Sequence, residues 1–208
     1  MGKILIVDDH PIVRLAGRLL LERDGHQVVG EADNGVDAVS LARDLQPEIM
    51  LLDLDIPKLG GLEVIGRVQT LPAPPRVLVL SSQDPAFFSG RCMRAGAHGF
   101  VYKQEDTAEL LAGIKAVLSG YGFFPNQALR SIRNSSHDRD ESQLLESLSD
   151  RELTVLRYLA LGYTNKQIAD EFLINSKTVS SYKKRLQDKL GEASVVGLSG
   201  FAKRNFVV

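Results

Sequence analysis

Asp53 ends the apolar run Ile49-Met-Leu-Leu and is followed by Leu54-Asp55-Ile56-Pro57. Three further polar groups end apolar runs in the same way. Asp8-Asp9 follow Ile4–Val7, Ser81 follows Val77–Leu80, and Lys103 follows Gly99-Phe100-Val101-Tyr102. Carboxylates brought to one point repel, and one of them takes up a proton unless a cation lies among them. Mg²⁺ suits such a set, because it prefers oxygen ligands and binds through few carboxylates together with phosphate oxygens. Lys103 supplies a point charge for a transferring phosphoryl group, and Ser81 a hydroxyl hydrogen bond. The set therefore predicts phosphoryl transfer onto Asp53. An Asp after a strand is by itself most often a turn or cap residue, and a lone Lys a solvated charge. The weight lies in the recurrence at successive strand ends.

Those residues need a scaffold that gathers strand ends. The first part of the chain alternates strand and helix signals. Strands are expected at Lys3–Asp8, Gln27–Ala32, Ile49–Leu52, Arg76–Ser81 and Gly99–Tyr102. Their runs are apolar enough for burial on both faces, as in a parallel sheet. A helix from Pro11 carries Ile12, Leu15, Ala16, Leu19 and Leu20 on one face, and Gly25 marks its end. Asn34-Gly35 opens a second helix through Val36, Val39, Leu41 and Ala42, which Gln46-Pro47 closes. A third runs through Leu62, Val64, Ile65 and Val68 after Gly60-Gly61, and a fourth spans Pro85 to Gly96. Asp106 with Glu109 resembles a capping box for a fifth helix reaching Ser119. Five βα units predict a doubly wound α/β sheet in the order 2-1-3-4-5, whose switch point collects the strand ends carrying Asp8, Asp9, Asp53, Ser81 and Lys103.

Composition narrows the function classes. The 208 residues carry a net charge of −1, which hides an asymmetry. Residues 1–125 hold 12 Lys/Arg against 16 Asp/Glu, a net −4, whereas residues 149–208 hold 10 against 6, a net +4. Two domains with different partners are expected. Between them, Arg130-Ser-Ile-Arg-Asn-Ser-Ser-His-Asp-Arg-Asp-Glu141 is polar and without apolar period, a flexible linker. No apolar run approaches the ~20 residues of a membrane helix, and Asp8-Asp9 interrupt the N-terminal run too early for a signal peptide. The lone Cys92 excludes an intrachain disulfide and fits a reducing cytosol, so a cytoplasmic protein with no membrane partner is expected.

The basic part reads as helices only. Ser149-Asp-Arg-Glu152 and Thr164-Asn-Lys-Gln167 are capping boxes, each ahead of an apolar periodic run. A third helix runs from Ser176 to about Leu190, and a short fourth spans Val195–Ala202. Two helices joined by a three-residue turn within a four-helix unit make a helix-turn-helix. At ~100° per residue, Val179, Tyr182, Leu186 and Leu190 of the third helix share the core side. Lys177, Ser181, Lys184 and Asp188 lie opposite, with Ser180 at the edge. Short hydroxyls and lysines there suit base edges in a major groove, and the flanking Lys183, Arg185 and Lys189 suit phosphates.

Residues 1–122 resemble the receiver domain of two-component response regulators, on Asp8-Asp9, Asp53 with Pro57 and Gly60-Gly61, Ser81, and Lys103 after Gly99-Phe100. Residues 147–208 resemble the LuxR/NarL-type (FixJ-type) DNA-binding domain, on Leu148-Ser-Asp-Arg-Glu152, Leu159-Ala-Leu-Gly162, Asn165-Lys-Gln-Ile-Ala169, Lys177-Thr-Val179 and Lys189-Leu190. Residues 123–146 are then the linker. The resemblance extends to the virulence-regulator branch of that family. It implies Asp53 as phosphoacceptor, Mg²⁺ held by Asp8, Asp9, Asp53 and the Asp55 backbone carbonyl, and Ser81 with Phe100 as a switch pair beside the catalytic Lys103. It further implies a sensor histidine kinase as phosphoryl donor, base-facing positions at 180, 181 and 184, and a homodimer on double-stranded promoter DNA, with RNA polymerase as a further partner. No enzymatic activity is expected beyond the receiver's own phosphoryl transfer and dephosphorylation. Two departures stand out. Gln104 follows Lys103 where many receivers have proline, and Asp55 adds an acid beside the acceptor.

Asp53-Leu-Asp55 also resembles the nucleophile motif of haloacid-dehalogenase-type phosphatases. Against that reading, Ile56-Pro57 replaces the usual small residues, the strand is not the first of its sheet, and Asp8-Asp9 has no role. A receiver that signals by partner contact alone is a second alternative, opposed by the complete set Asp8, Asp9, Asp53 and Lys103.

Overall fold

A computed structural model describes residues 1–125, 144–145, 147–172, 174–204 and 207. The polar linker stretch expected at Arg130–Glu141 lies outside the described residues. The chain divides into two compact units, Met1–Arg133 and Asn134–Val208.

In the first unit, β1 (Lys3–Val7), β2 (Gln27–Ala32), β3 (Ile49–Leu52), β4 (Arg76–Ser81) and β5 (Gly99–Tyr102) form one parallel sheet in the order β2-β1-β3-β4-β5. The register pairs Val7 with Leu52, Leu52 with Val79, and Ser81 with Tyr102. It follows that Asp8, Asp53 and Lys103 emerge at the same end of the sheet, one residue beyond β1, β3 and β5. Helices α1 (Pro11–Arg23), α2 (Gly35–Leu45), α3 (Gly61–Val68), α4 (Pro85–Ala95) and α5 (Thr107–Leu118) connect the strands. Ile4, Ile6, Ile49, Leu51, Leu78, Val101, Ile114 and Val117 belong to one buried cluster that packs sheet against helix.

The helix boundaries follow local chemistry. Asn34 caps α2 by accepting from Asp37 N, and Gln46 stops it in a left-handed conformation at φ 45° before Pro47. Asp106 caps α5 by accepting from Ala108 N, one residue earlier than the capping box expected with Glu109 would use. The apolar face grouped on α1 does not meet the sheet except through Leu20. Ile12, Leu15 and Leu19 are 79, 56 and 60% exposed, and Ala16 is exposed as well. Gly17 and Leu21, outside that group, are the buried residues, with Leu20 packed beside them against the core. Two apolar stripes exist on this helix, and periodicity cannot say which meets the sheet.

The second unit holds α6 (Asp150–Ala160), α7 (Asn165–Glu171), α8 (Ser176–Leu190) and α9 (Val195–Arg204). Both expected capping boxes form, Ser149 with Glu152 and Thr164 with Gln167. Ser176 opens α8 as expected, and Asn175 caps it by accepting from Lys177 N. Leu153, Leu156, Leu159, Ile168, Val179, Leu186, Leu190, Leu198 and Phe201 are buried in this unit. Among the described residues no helix is long and apolar enough to cross a membrane.

Candidate functional site

Asp53 is 3% exposed, and its backbone N–H donates to Val7 O at 2.8 Å, which fixes β3 against β1 at the pocket floor. Its Oδ1 accepts from Leu54 N at 2.7 Å. Gly61 opens α3 directly beneath, where a Cβ would come within 2.6 Å of Asp53 O, so a side chain there would push the acceptor loop out of place. Lys103 Nζ reaches from the end of β5 to Asp53 Oδ2 at 2.8 Å and to Asp8 Oδ2 at 2.7 Å. One ammonium thus ties two carboxylates carried by two different strands.

The electrostatics follow from that geometry. Burial pushes the Asp53 carboxyl above its ordinary value, and the Lys103 ammonium only partly offsets this. Asp8 adds to the rise, while the Ser81 hydroxyl opposes it. Burial alone would lower Lys103, but Asp53 and Asp8 outweigh it and hold the ammonium above its usual value. At neutral pH Lys103 is therefore charged, a single ammonium shared by the carboxyl groups of Asp8 and Asp53.

Ligand atoms of Asp8, Asp9, His10 and Asp53 lie within 4.8 Å of one another. Asp9 Oδ1 is buried and accepts no hydrogen bond, although His10 Nδ1 stands 2.7 Å away, a contact that becomes an ion pair only when the ring is protonated. Three carboxylates, with one buried oxygen unsatisfied, are the oxygen donor set that fits Mg²⁺. His10 was not anticipated from sequence beyond its place next to Asp9. Nor was Arg14, whose guanidinium donates to Asp8 O at 2.6 Å and braces the first strand end.

Ser81 is fully buried at the end of β4, and its backbone carbonyl accepts from Lys103 N at 2.9 Å. Gln83 N donates to Ser81 Oγ at 3.3 Å, so the hydroxyl already belongs to the loop after β4. Phe100 is 0% exposed; its ring is already inside in this structure. Asp55 lies in the loop after Asp53 and accepts from the Gln83 side-chain amide. The structure thus brings Asp8, Asp9, Asp53 and Lys103 into one pocket, with Ser81 and Asp55 on adjoining loops and Phe100 beneath.

In the second unit Val179, Leu186 and Leu190 are buried, and Tyr182 is half-buried. Lys177, Ser180, Ser181, Lys184 and Arg185 are exposed, and Lys183 is partly covered. Ser180 Oγ donates to Ser176 O at 3.0 Å and accepts from Asn165 Nδ2 at 3.1 Å; Ser181 Oγ donates to Lys177 O at 3.1 Å. Both hydroxyl protons are spent inside the helix, so toward an outside group these serines act as acceptors. The Arg185 guanidinium rests 5.9 Å from the Tyr182 ring centroid. Lys189, expected on the phosphate-facing flank, is exposed, and its Nζ donates to Glu152 Oε2 at 2.7 Å and to Ser147 O at 3.0 Å within its own unit.

Residues 4–115 match the response regulator receiver domain, and residues 146–202 match the bacterial regulatory proteins of the luxR family. The chain is 49% identical over 204 residues to BvgA, a virulence-factor transcription regulator of Bordetella pertussis, covering 98% of both chains. It is 36% identical over 201 residues to EvgA, a DNA-binding transcriptional activator of Escherichia coli, covering 97% of both. Its fold is similar to that of RcsB from Salmonella enterica serovar Typhimurium bound to the promoter rprA in the presence of a beryllium fluoride phosphomimetic. That similarity has a TM-score of 0.63 at 26% identity and covers 98% of this chain and 99% of RcsB.

Proposed function

The chain belongs to the two-component response regulators, a receiver domain joined to a LuxR-type DNA-binding domain, and from that premise we propose that Asp53 is its phosphoacceptor and that phosphorylation drives promoter binding as a dimer. The observation that carries this reading is the Lys103 ammonium held between Asp8 and Asp53 in a buried pocket lined by carboxyl groups. A sensor histidine kinase is the donor. An Asp53 carboxylate oxygen forms the bond to phosphorus as the bond to the donor's imidazole nitrogen breaks, and the freed imidazole leaves with the kinase.

Asp8, Asp9 and Asp53, with the Asp55 carbonyl, would hold Mg²⁺, which supplies charge neutralisation for the phosphoryl oxygens. Lys103 keeps Asp53 oriented through Oδ2 and then pairs with the phosphoryl group. Ser81 turns its hydroxyl toward the same group, drawing on the loop that Gln83 shares, and Phe100 responds beneath it. The added charge of about −1.5 to −2 biases these loops between two arrangements. The chain's own chemistry ends with gain and loss of that phosphoryl group. It acts on no other substrate.

On the DNA side, Ser180, Ser181 and Lys184 face base edges, and Lys177, Lys183 and Arg185 contact phosphates. A homodimer places two such helices about one helical turn apart. Its relative RcsB is bound to a promoter in the presence of a phosphomimetic, which supports the same order of events here. Incubation with acetyl phosphate and Mg²⁺ tests the acceptor. Wild type should form an acid-labile adduct that Asp53→Asn lacks, and unchanged labelling of that variant would sink the assignment.

A further inference from the structure

β5 is the edge of the sheet, and its first residues are covered on the outer side. Phe123, five residues beyond the end of α5, pairs with it as a parallel bridge centred on Gly99. Phe100 N donates to Phe123 O at 2.7 Å, and Phe123 N donates to His98 O at 3.0 Å. The ring packs against the core cluster that contains Leu78, Val101 and Ile114. Two glycines make room for it: a Cβ on Gly99 would fall 2.8 Å from Phe123 O, and one on Gly113 would fall 3.1 Å from the ring. Phe123 is therefore seated in a slot built from β5 and α5, within the first unit and on the segment that follows α5.

The strand it grips is the one that carries Phe100 and ends in Lys103. Lys103 N also holds Ser81 O, so the ends of β4 and β5 move together. We propose that Phe123 is a tether that passes the state of the Asp53 pocket to the connection leading to the DNA-binding unit. When Ser81 and Lys103 turn toward a phosphoryl group, β5 shifts, and the two directional hydrogen bonds to Phe123 either carry the segment along or break. In either case, the first residues of the connection change while the sheet stays intact. Packed interfaces are bistable rather than elastic, so a small displacement at Phe100 suffices.

This inference rests on the phosphoryl-switch reading, and the experiment separates the two. Promoter affinity of the full chain is measured with and without beryllofluoride and Mg²⁺, for wild type and Phe123→Ala, beside acetyl-phosphate labelling of Asp53 in both. Wild type should gain affinity on the order of tenfold. Phe123→Ala should label normally but gain less than about twofold, and Phe123→Leu should restore most of the gain. A full gain in Phe123→Ala would overturn the tether. No gain in wild type would overturn the switch itself, and the tether with it. Should the alanine variant fail to fold, hydrogen exchange on wild type decides. The Phe100 and Phe123 amides must change protection on adding beryllofluoride, and unchanged protection at both refutes the proposal.

Discussion

Gln83 donates its side-chain amide to the Asp55 carboxylate across 28 positions of sequence, joining the loop after β3 to the loop after β4. Gln83 is 4% exposed, so the bond closes one side of the acceptor pocket with a buried amide. Its backbone N–H meanwhile holds the Ser81 hydroxyl. The extra acid beside Asp53 thus has a structural partner, and its charge stays near the pocket.

That charge should favour a cation. Asp55→Asn keeps a group able to hydrogen-bond to Gln83 and removes one negative charge. Mg²⁺ affinity should fall roughly fivefold, equivalent to about 1 kcal/mol for a charge at close range in a wet site. Calorimetric titration of the metal into both proteins measures it, and an unchanged constant would show that Asp55 is screened.

Asp53 costs stability while it is ionised. Its folded pKa is raised, so the folded state binds more protons than the unfolded one above the ordinary carboxylate range, and stability is lost as pH rises through the folded value. In a chelator at neutral pH, Asp53→Asn should therefore melt several degrees above wild type. Saturating Mg²⁺ should stabilise wild type by mass action and the asparagine variant much less, so that the gap narrows or reverses. Melting curves with and without metal decide, and a lower melting point for the variant in chelator would contradict the assignment of charge.

Ile12, Leu15 and Leu19 form an exposed apolar stripe on α1, with spacings of three and four residues. Such a stripe suits the self-association proposed above, since burying a leucine contributes about 1.5–3 kcal/mol. Leu15→Glu should weaken the acyl-phosphate-induced dimer at least about tenfold while Asp53 still labels. Sedimentation before and after phosphorylation reads the outcome; a wild-type dimer would place the interface elsewhere.

Lys184 and Lys189 are both lysines of α8, and Lys189 forms an ion pair with Glu152. Lys184→Ala should weaken promoter binding and reduce its salt slope by about one unit. Lys189→Ala should instead destabilise the second unit by about 1–2 kcal/mol, because it strips the charged partner from buried Glu152 while Lys189 itself is partly solvated. Burial would raise the Glu152 carboxyl, but the Lys189 and Ser149 hydrogen bonds outweigh it and hold it low. The stability from that pair is present above the unfolded value of 4.5 and is lost as pH falls below it. Chemical denaturation across pH should show this slope in wild type and a weaker one in Lys189→Ala.

Much of the scaffold was legible along the chain. The strand runs, the Ser149 and Thr164 capping boxes and the glycine after α4 are local signals: a buried strand needs consecutive apolar residues, and a helix end needs a partner for its orphan amides. The gathering of Asp8, Asp53 and Lys103 also followed, because parallel βα units place all strand ends on one side. Apolar period misled on α1, where two stripes compete, and surface charge gave no sign of the partner of Lys189, since Glu152 lies 37 positions away in sequence.

By itself, then, the sequence determined the order of elements, the doubly wound sheet and the acidic pocket at its switch point, since each depends on short-range pattern and on the handedness of βα crossovers. Only the tertiary structure decided which face of α1 stays in water, that Gln83 holds Asp55, that Lys189 pairs with Glu152, and that Phe123 bridges to the start of β5. Each of these is a contact between distant segments, set by three-dimensional packing and by the need of every buried polar group for a partner, and no local window of residues encodes it.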